Sequence, residues 1–400
     1  MWEQIRSNQV RSVVLVAMMG IVLVLLGWFL GLAILGSPAA GLIIALVVWA
    51  IMNLVAFFQG DNILLAVAGA RKIEREDHPR LYNIVEEMKI ASGLEKVPDI
   101  YIIDDPALNA FATGRDPNRA AVAITSGLLQ KLNRDELQGV IGHEVSHIKN
   151  RDVLLMALSA VLLGTIVILA WYASRFMFYG GMARSRRSSS KDGGGAQIII
   201  LAVAIVLMIL APILAQLIYF AVSRRREYLA DASSALYTRY PEGLAAALEK
   251  LAAANTVVTQ ANRATAPMYM VNPLKQEGLS AESLTATHPP IQERIRILRA
   301  MAGASYADYE RAYKQATGKS IVPVPALSGA PVGLRAAARA GAGEPVEQID
   351  RARDTSDLLW RMNDYQTIDC DCGTRLRVPP NYRESSLRCP HCGRIHQLDE

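Results

Sequence analysis

The sequence predicts a mainly α-helical chain with a small β-sheet, embedded among four transmembrane helices and closed by a small cysteine-bearing module. Three observations lead there: four long uncharged runs, a charged helical segment carrying two histidines one turn apart, and four cysteines confined to Cys370–Cys392. The composition agrees. Of 400 residues 52% are hydrophobic and 20% charged, with a mean hydropathy of +0.20, whereas a soluble domain carries about 25% charged residues. The net charge of +5 and the 6% aromatic content argue against a nucleic-acid surface. A basic excess of this size suits loops facing an anionic leaflet. Disordered, collagen-like and disulfide-dense secreted chains are excluded.

The uncharged runs are residues 13–35, 39–60, 153–174 and 196–223, the last containing Pro212. A helix of about 20 apolar residues crosses the hydrocarbon core, so each run qualifies. The first is too long for a signal-peptide core of about 7–15 residues, and a second follows at the Ser37–Pro38 turn. Residues 1–60 are therefore an N-terminal transmembrane hairpin and 153–223 a second hydrophobic hairpin. If all four runs span, Arg6, Arg11, Arg71, Lys72, Arg75, Lys149, Arg151 and Arg224–Arg226 share one side of the membrane. The opposite side carries Arg175, Arg184, Arg186, Arg187 and Lys191, so the larger basic set places 61–152 and 224–400 in the cytoplasm. The Arg/Ser-rich loop between the third and fourth runs dissents from that rule.

Between the hairpins, 74–92 reads as an amphipathic helix, and 99–104, 109–113 and 120–125 as short strands separated by turn signals. Asn133, with Glu136 three residues on, starts a helix that continues through His147. Beyond the second hairpin, Ser223 caps a helix through Glu227 and Asp231, and 241–254 and 289–302 are helical. Residues 61–152 and 224–318 thus form the two parts of one domain. Pro, Ala and Gly make 319–360 a flexible linker, and 361–400 is the terminal module.

The chemistry lies in HEVSH, residues 143–147. On a helix His143 and His147 project from one face and can grip one zinc ion. Glu144 lies beside the first ligand, placed to act as general base on a water at the metal. The bland reading is a solvated helix face with two histidines. A catalytic zinc needs a third protein ligand. A metzincin continuation fails, since Asn150 and Val153 stand where Gly and His would be needed. Glu227, in REYLADA just beyond the fourth run, is the candidate, because the second hairpin returns the chain to the same membrane side. Asp231, one turn further, is placed to hydrogen-bond a ligand imidazole. A motif buried in a spanning helix is excluded by the charges of Lys131–Asp152.

At these residues the chain resembles a known family. HEVSHIKNRD, a hydrophobic hairpin, SRRREYLADASSALYTRYPEGLAAALEKL, NAFATG at 109–114 and THPPIQERI at 287–295 are similar to the HtpX-type membrane zinc endopeptidases, relatives of the CAAX prenyl protease. The resemblance covers about residues 1–315. It implies a zincin-like (gluzincin) fold in the bacterial cytoplasmic membrane and cleavage of misfolded membrane proteins. It also implies metal ligands at His143, His147 and Glu227 with Glu144 as base. The 184–191 loop and everything past about 318 depart from the family.

Two further residues follow. Asn109 opens a strand whose edge can receive an extended substrate, and its amide would orient that backbone; alternatively it ends a turn. His288, stiffened by Pro289 and Pro290, would donate to the oxyanion, or it belongs to the start of the next helix. His78 reads as a surface residue. Cys370-x-Cys372 and Cys389-x-x-Cys392, each pair followed by Gly, resemble a zinc ribbon holding a second, structural zinc. His391 and His396 are substitute ligands. Client binding, simple folding and oxidative metal release are open roles for the module. Polypeptides and the lipid bilayer are the expected partners, with no nucleic acid. The reading from a different class is a non-proteolytic membrane adaptor or holdase recruiting clients through the ribbon.

Overall fold

The computed structural model describes residues 2–32, 36–153, 226–254, 258–259, 269–270, 289–322, 332–336, 344–382 and 386–398, with Ile166, Trp171 and Ile209 besides. It is mainly helical with small sheets, as the sequence predicts. The third and fourth apolar runs, Ser223 and His288 lie almost wholly or entirely outside these residues.

Two long helices open the chain, α1 (Trp2–Leu30) and α2 (Pro38–Val67). Ser37 caps α2, its Oγ accepting the Ala40 N–H at 3.3 Å, and Pro38 occupies the first turn, where a missing N–H costs nothing. The helices meet through glycine. A Cβ on Gly31 would lie 2.5 Å from the Gly41 Cα, so only the bare backbone permits this crossing. Val13, Ile21, Ile43, Ile44, Ile51 and Leu54 point outward and are exposed, an apolar surface that water does not tolerate at this extent. Among the described residues, Pro38–Val55 is long and apolar enough to cross a membrane, and Gly20–Leu30 is a shorter apolar stretch.

The sheet follows: β1 (Arg71–Ile73), β2 (Asp99–Ile103), β3 (Ala110–Gly114) and β4 (Ala120–Thr125), ordered β1-β2-β4-β3. β2 and β4 are parallel, while β1 and β3 run antiparallel to their neighbours. Side chains alternate in the period-2 pattern of strands. Ile100, Ile102, Ala110, Ala112, Val122 and Ile124 join the main core on one face. Tyr101, Ile103, Phe111, Ala121 and Ala123 face the other way, where Leu64 and Leu65 of α2 and the Ala68 that caps it pack on them. The anchor helix therefore runs directly onto the sheet, and the Arg115 guanidinium lies 5.7 Å and 5.6 Å from the Phe57 and Phe58 rings at that joint.

The inner face is covered by α3 (Pro79–Ser92), α4 (Ser126–Lys131), α5 (Arg134–Lys149), the helix over 226–238 (α6), α7 (Pro241–Ala253), α8 (Ile291–Arg299) and α9 (Tyr306–Thr317). Three expectations need correction. The helix expected over 74–92 begins at Pro79, and 71–73 form a strand. His78 is buried, not a surface residue: it caps α3, its Nδ1 accepting the Leu81 N–H at 3.2 Å. The expected flexible linker 319–360 contains α10 (Glu344–Met362), whose Leu358 is buried in the main core. Part of the remainder is also tied down. Glu310 accepts the Ile321 and Val322 N–H groups, and Arg335 reaches Asp135 and Gln138 at 2.6 Å and 2.7 Å.

The terminal module comprises two hairpins, β5 (Gln366–Asp369) with β6 (Arg375–Val378) and β7 (Ser386–Arg388) with β8 (Ile395–Gln397). Asp357 of α10 pairs with Arg375 and Arg377, at 2.5 Å each, joining the helix to the first hairpin.

Candidate metal centre and active site

The Asn133–Glu136 capping box starts α5 as the sequence predicts, each side chain accepting the other residue's backbone N–H. Two glycines then let neighbouring helices come close. A Cβ on Gly139 would stand 2.6 Å from the Leu244 backbone nitrogen of α7. One on Gly142 would stand 3.1 Å from Ser234 Oγ of α6, and Ser234 in turn donates to the Gly139 carbonyl at 2.7 Å. This tight crossing brings Glu227 and Asp231, one turn apart on α6, against the histidine face of α5.

His143, His147 and Glu227 converge with all three side chains buried. The two Nε2 atoms are 3.2 Å apart; Glu227 Oε2 lies 3.6 Å from that of His143, and Glu227 Oε1 lies 3.6 Å from that of His147. Ligands held about 2.0–2.1 Å from zinc at tetrahedral angles stand about 3.3–3.4 Å from one another. The donor set therefore fits that ion, with chemistry and spacing agreeing.

Each imidazole is oriented from behind. His143 Nδ1 lies 3.0 Å from Asp231 Oδ1, and His147 Nδ1 lies 3.1 Å from Asp152 Oδ2. A carboxylate on Nδ1 holds the proton there and turns the Nε2 lone pair toward the ligand position. Asp231 stands where the sequence reading expected it. Asp152 was missed. It reaches back because Arg151 adopts φ 59°, a left-handed conformation uncommon outside glycine, immediately after α5 ends. Arg294 of α8 was missed too, and it binds Asp231 through Nε at 2.8 Å and Nη2 at 2.7 Å.

The electrostatics follow from burial and these pairings. Burial acts to lower the His143 pKa, but hydrogen bonds to Asp231 and Glu227 win and push it up to about 9. Burial acts to raise Asp231, and Arg294 overrides it, so that carboxyl stays below its ordinary range. Glu144, buried beside the ligands, is pushed up by burial.

Helix α5 packs on β3, the edge strand, and the Ala112 backbone there acts against burial to lower the Glu144 pKa. Alternation along β3 turns the Ala110 and Ala112 backbone groups to this open edge. The Ala110 carbonyl there accepts the Met270 N–H at 3.0 Å, while Tyr269 stacks edge-on against Phe111 with ring centroids 5.1 Å apart. Asn109 is buried just before the strand, its Oδ1 accepting the Ala110 N–H at 3.1 Å. Glu144 thus lies near both the candidate ligand cluster and the edge of β3.

A second cluster sits in the terminal module. Cys370 and Cys392 Sγ are 3.5 Å apart, Cys372 and Cys389 Sγ 3.7 Å, and all four lie within 4.8 Å of one another. Disulfide sulfurs would be about 2.05 Å apart, whereas thiolates about 2.3 Å from zinc stand about 3.8 Å apart. Each pair sits on a turn whose following glycine, Gly373 at φ 82° and Gly393 at φ 77°, takes the left-handed conformation.

The profile of Peptidase family M48 matches residues 75–302, more than half of the chain and both parts of the ligand cluster. The chain belongs to peptidase family M48. Protease HtpX homologs resemble it along most of their length. That of Dictyoglomus turgidum (strain DSM 6724 / Z-1310) is 48% identical over 261 residues, 65% of this chain and 82% of the relative. That of Streptococcus uberis (strain ATCC BAA-854 / 0140J) is 40% identical over 301 residues, 75% of this chain and 100% of the relative. The crystal structure of S. mikatae Ste24p overlays with a TM-score of 0.40 at 19% identity, covering 74% of this chain and 67% of that one, a likeness too slight to carry an argument. Membership in M48 makes the chain a metallopeptidase, a hydrolase of peptide bonds, and implies a metal. It does not favour the adaptor reading.

Proposed function

We propose that this M48 member is a multi-pass membrane zinc endopeptidase whose active site faces the cytoplasm and whose substrates are misfolded or damaged membrane polypeptides. The observation that carries the reading is the convergence of two imidazole Nε2 atoms and one carboxylate at tetrahedral spacing, with Glu144 near both that cluster and the edge of β3. In this reading His143, His147 and Glu227 hold the ion. Bound there, zinc supplies Lewis-acid activation of water and polarisation of the scissile carbonyl.

The chain's own residues do the rest. Glu144 takes the proton from the attacking water and passes it to the leaving amine. The substrate backbone adds to the β3 edge as an extra strand, displacing the Met270 N–H from the Ala110 carbonyl. Asn109 orients that backbone once its Oδ1 releases the Ala110 N–H. His288 donates to the oxyanion. The outward apolar side chains of α1 and α2, and the basic residues flanking the four apolar runs, support the bilayer setting and its orientation. Cys370, Cys372, Cys389 and Cys392 hold a second, structural zinc in a module of about 40 residues, too small for a stable core without such a staple.

Two experiments test this. Purified in detergent, stripped of metal and replenished, the full-length chain is expected to cleave an unfolded protein such as casein when zinc returns; full hydrolysis by the stripped protein contradicts the mechanism. Tags at residue 188 and after residue 330 are expected on opposite membrane sides, and both in the cytoplasm contradicts the four-span topology.

A further inference from the structure

Arg294 has the largest side chain among those fully buried in the described residues, with 1% of its surface exposed. Burying a guanidinium is expensive unless its donors are met, so its partners show what it serves. Two of its nitrogens grip both oxygens of Asp231, at 2.8 Å and 2.7 Å. The same Asp231 Oδ1 lies 3.0 Å from His143 Nδ1, and Arg294 Nη2 is itself 3.5 Å from that nitrogen. Arg294 Nη1 faces Glu227 Oε2 at 3.6 Å. Next to it on α8, Glu293 accepts the hydroxyl hydrogen of Tyr228, the residue after Glu227. Helix α8 therefore holds α6 at Glu227, at the residue after it and one turn further on.

We infer that Arg294 is a positioning residue for the metal centre, acting through Asp231 to fix the rotamer and tautomer of His143. The inference rests on the metal-site reading given above. The chemistry is directional. A guanidinium has donors only, so it cannot take the His143 proton, and its bidentate grip leaves Asp231 an ionised acceptor in one orientation. That acceptor keeps the imidazole proton on Nδ1 and the lone pair on Nε2, where the ion binds. Lysine, with a single donor head, cannot hold both carboxylate oxygens in that plane.

The test uses the full-length chain in detergent. The zinc of interest is the one that His143→Ala removes, and its affinity is read by competition with a chelator. Arg294→Met is expected to hold that zinc at least about tenfold more weakly, the usual scale for losing a residue that orients a ligand. The visible spectrum of the cobalt-substituted site should change, and kcat should fall more than KM. Because Arg294→Met leaves Asp231 buried and uncompensated, Arg294→Met/Asp231→Asn removes both charges while keeping an acceptor for His143. The double variant is expected to melt near the wild-type Tm, yet to bind that zinc about as weakly as Asp231→Asn alone, because the two residues act as one chain. Arg294→Lys should fall between Arg294→Met and the wild type. Wild-type zinc affinity in any folded Arg294 variant overturns the inference, as do fully additive losses in the double variant. If His143→Ala removes no zinc, the metal-centre reading falls and this inference with it; if it does and the Arg294 variants bind normally, the inference alone falls.

Discussion

The two ligand clusters of this chain are built in opposite ways. His143, His147 and Glu227 come from helices separated in sequence by the apolar runs of 153–223, and all three are buried in an already packed core. Asp231, Asp152 and Arg294 stand behind them, so the site is shaped before any ion arrives. The four cysteines come from two local turns, with a core of little more than Cys370, Leu376 and Cys389. In the proposed zinc-ribbon reading, the ion and the fold there are one event. A catalytic cluster needs preorganisation by the protein, whereas a structural one can borrow its organisation from the metal.

The largest effect expected from this contrast is at the ligands. His143→Ala or Glu227→Gln should abolish casein hydrolysis and remove one zinc per chain, while the chain stays folded; a variant that keeps both zinc ions and full activity breaks the comparison. Chelation sharpens it next. Stripping both ions should unfold β5–β8 yet leave amide protection in α5, α7 and α9 intact. Collapse of both regions together would show that the peptidase core also depends on its ion. Smaller is the effect of Asp152→Asn, which should weaken the catalytic zinc about 10–100-fold without touching the cysteine zinc. Competition with a chelator measures this, and an unchanged affinity would show that the Arg151 turn serves only the chain path.

The smallest effect concerns the docking of α10. Burial holds the His78 pKa below its ordinary value of 6.5, against the raising influence of Asp354 on α10 and alongside the lowering influence of Arg80 and Arg361. Below about pH 6.5 the unfolded segment binds the proton more readily than the folded one. Local stability is therefore full above that pH and declines as pH falls. The protection factors of α3, with the intrinsic pH dependence of amide exchange divided out, should drop between pH 7.5 and 5.5 in the wild type. In His78→Asn, which keeps a cap but does not titrate, the drop should be smaller; an equal drop in both would remove the assignment to His78.

Much of this was legible in the sequence because it is written at short range. The Asn133 capping box, the HEVSH spacing and the three central strands each occupy a few consecutive residues, and all appear where expected. Glu227 was reached through two long-range routes, the topological argument that two halves of one site meet on one membrane side and the family resemblance of REYLADA. Arg294, although inside the THPPIQERI segment, was not singled out, because nothing in that segment announces the Asp231 carboxylate 63 residues away. The Pro/Ala/Gly composition of 319–360 suggested a free linker, since the pins that hold it, from Arg335 to Asp135 and from Glu310 to Val322, join residues distant in sequence or use backbone groups. Strand β1 is three residues long and two of them are charged, too short for any periodicity. Helix α9 was not read from the sequence, although Ser305 and Asp308 form a capping box that marks its start.

The central claim is that Glu144 is the base beside a metal held by His143, His147 and Glu227. Zinc content and casein hydrolysis of Glu144→Gln, purified beside the wild type in detergent with metal replenished, test it most directly. The variant should bind zinc as the wild type does and hydrolyse about 10²–10⁴-fold more slowly. Full hydrolysis by a zinc-replete Glu144→Gln would contradict the account.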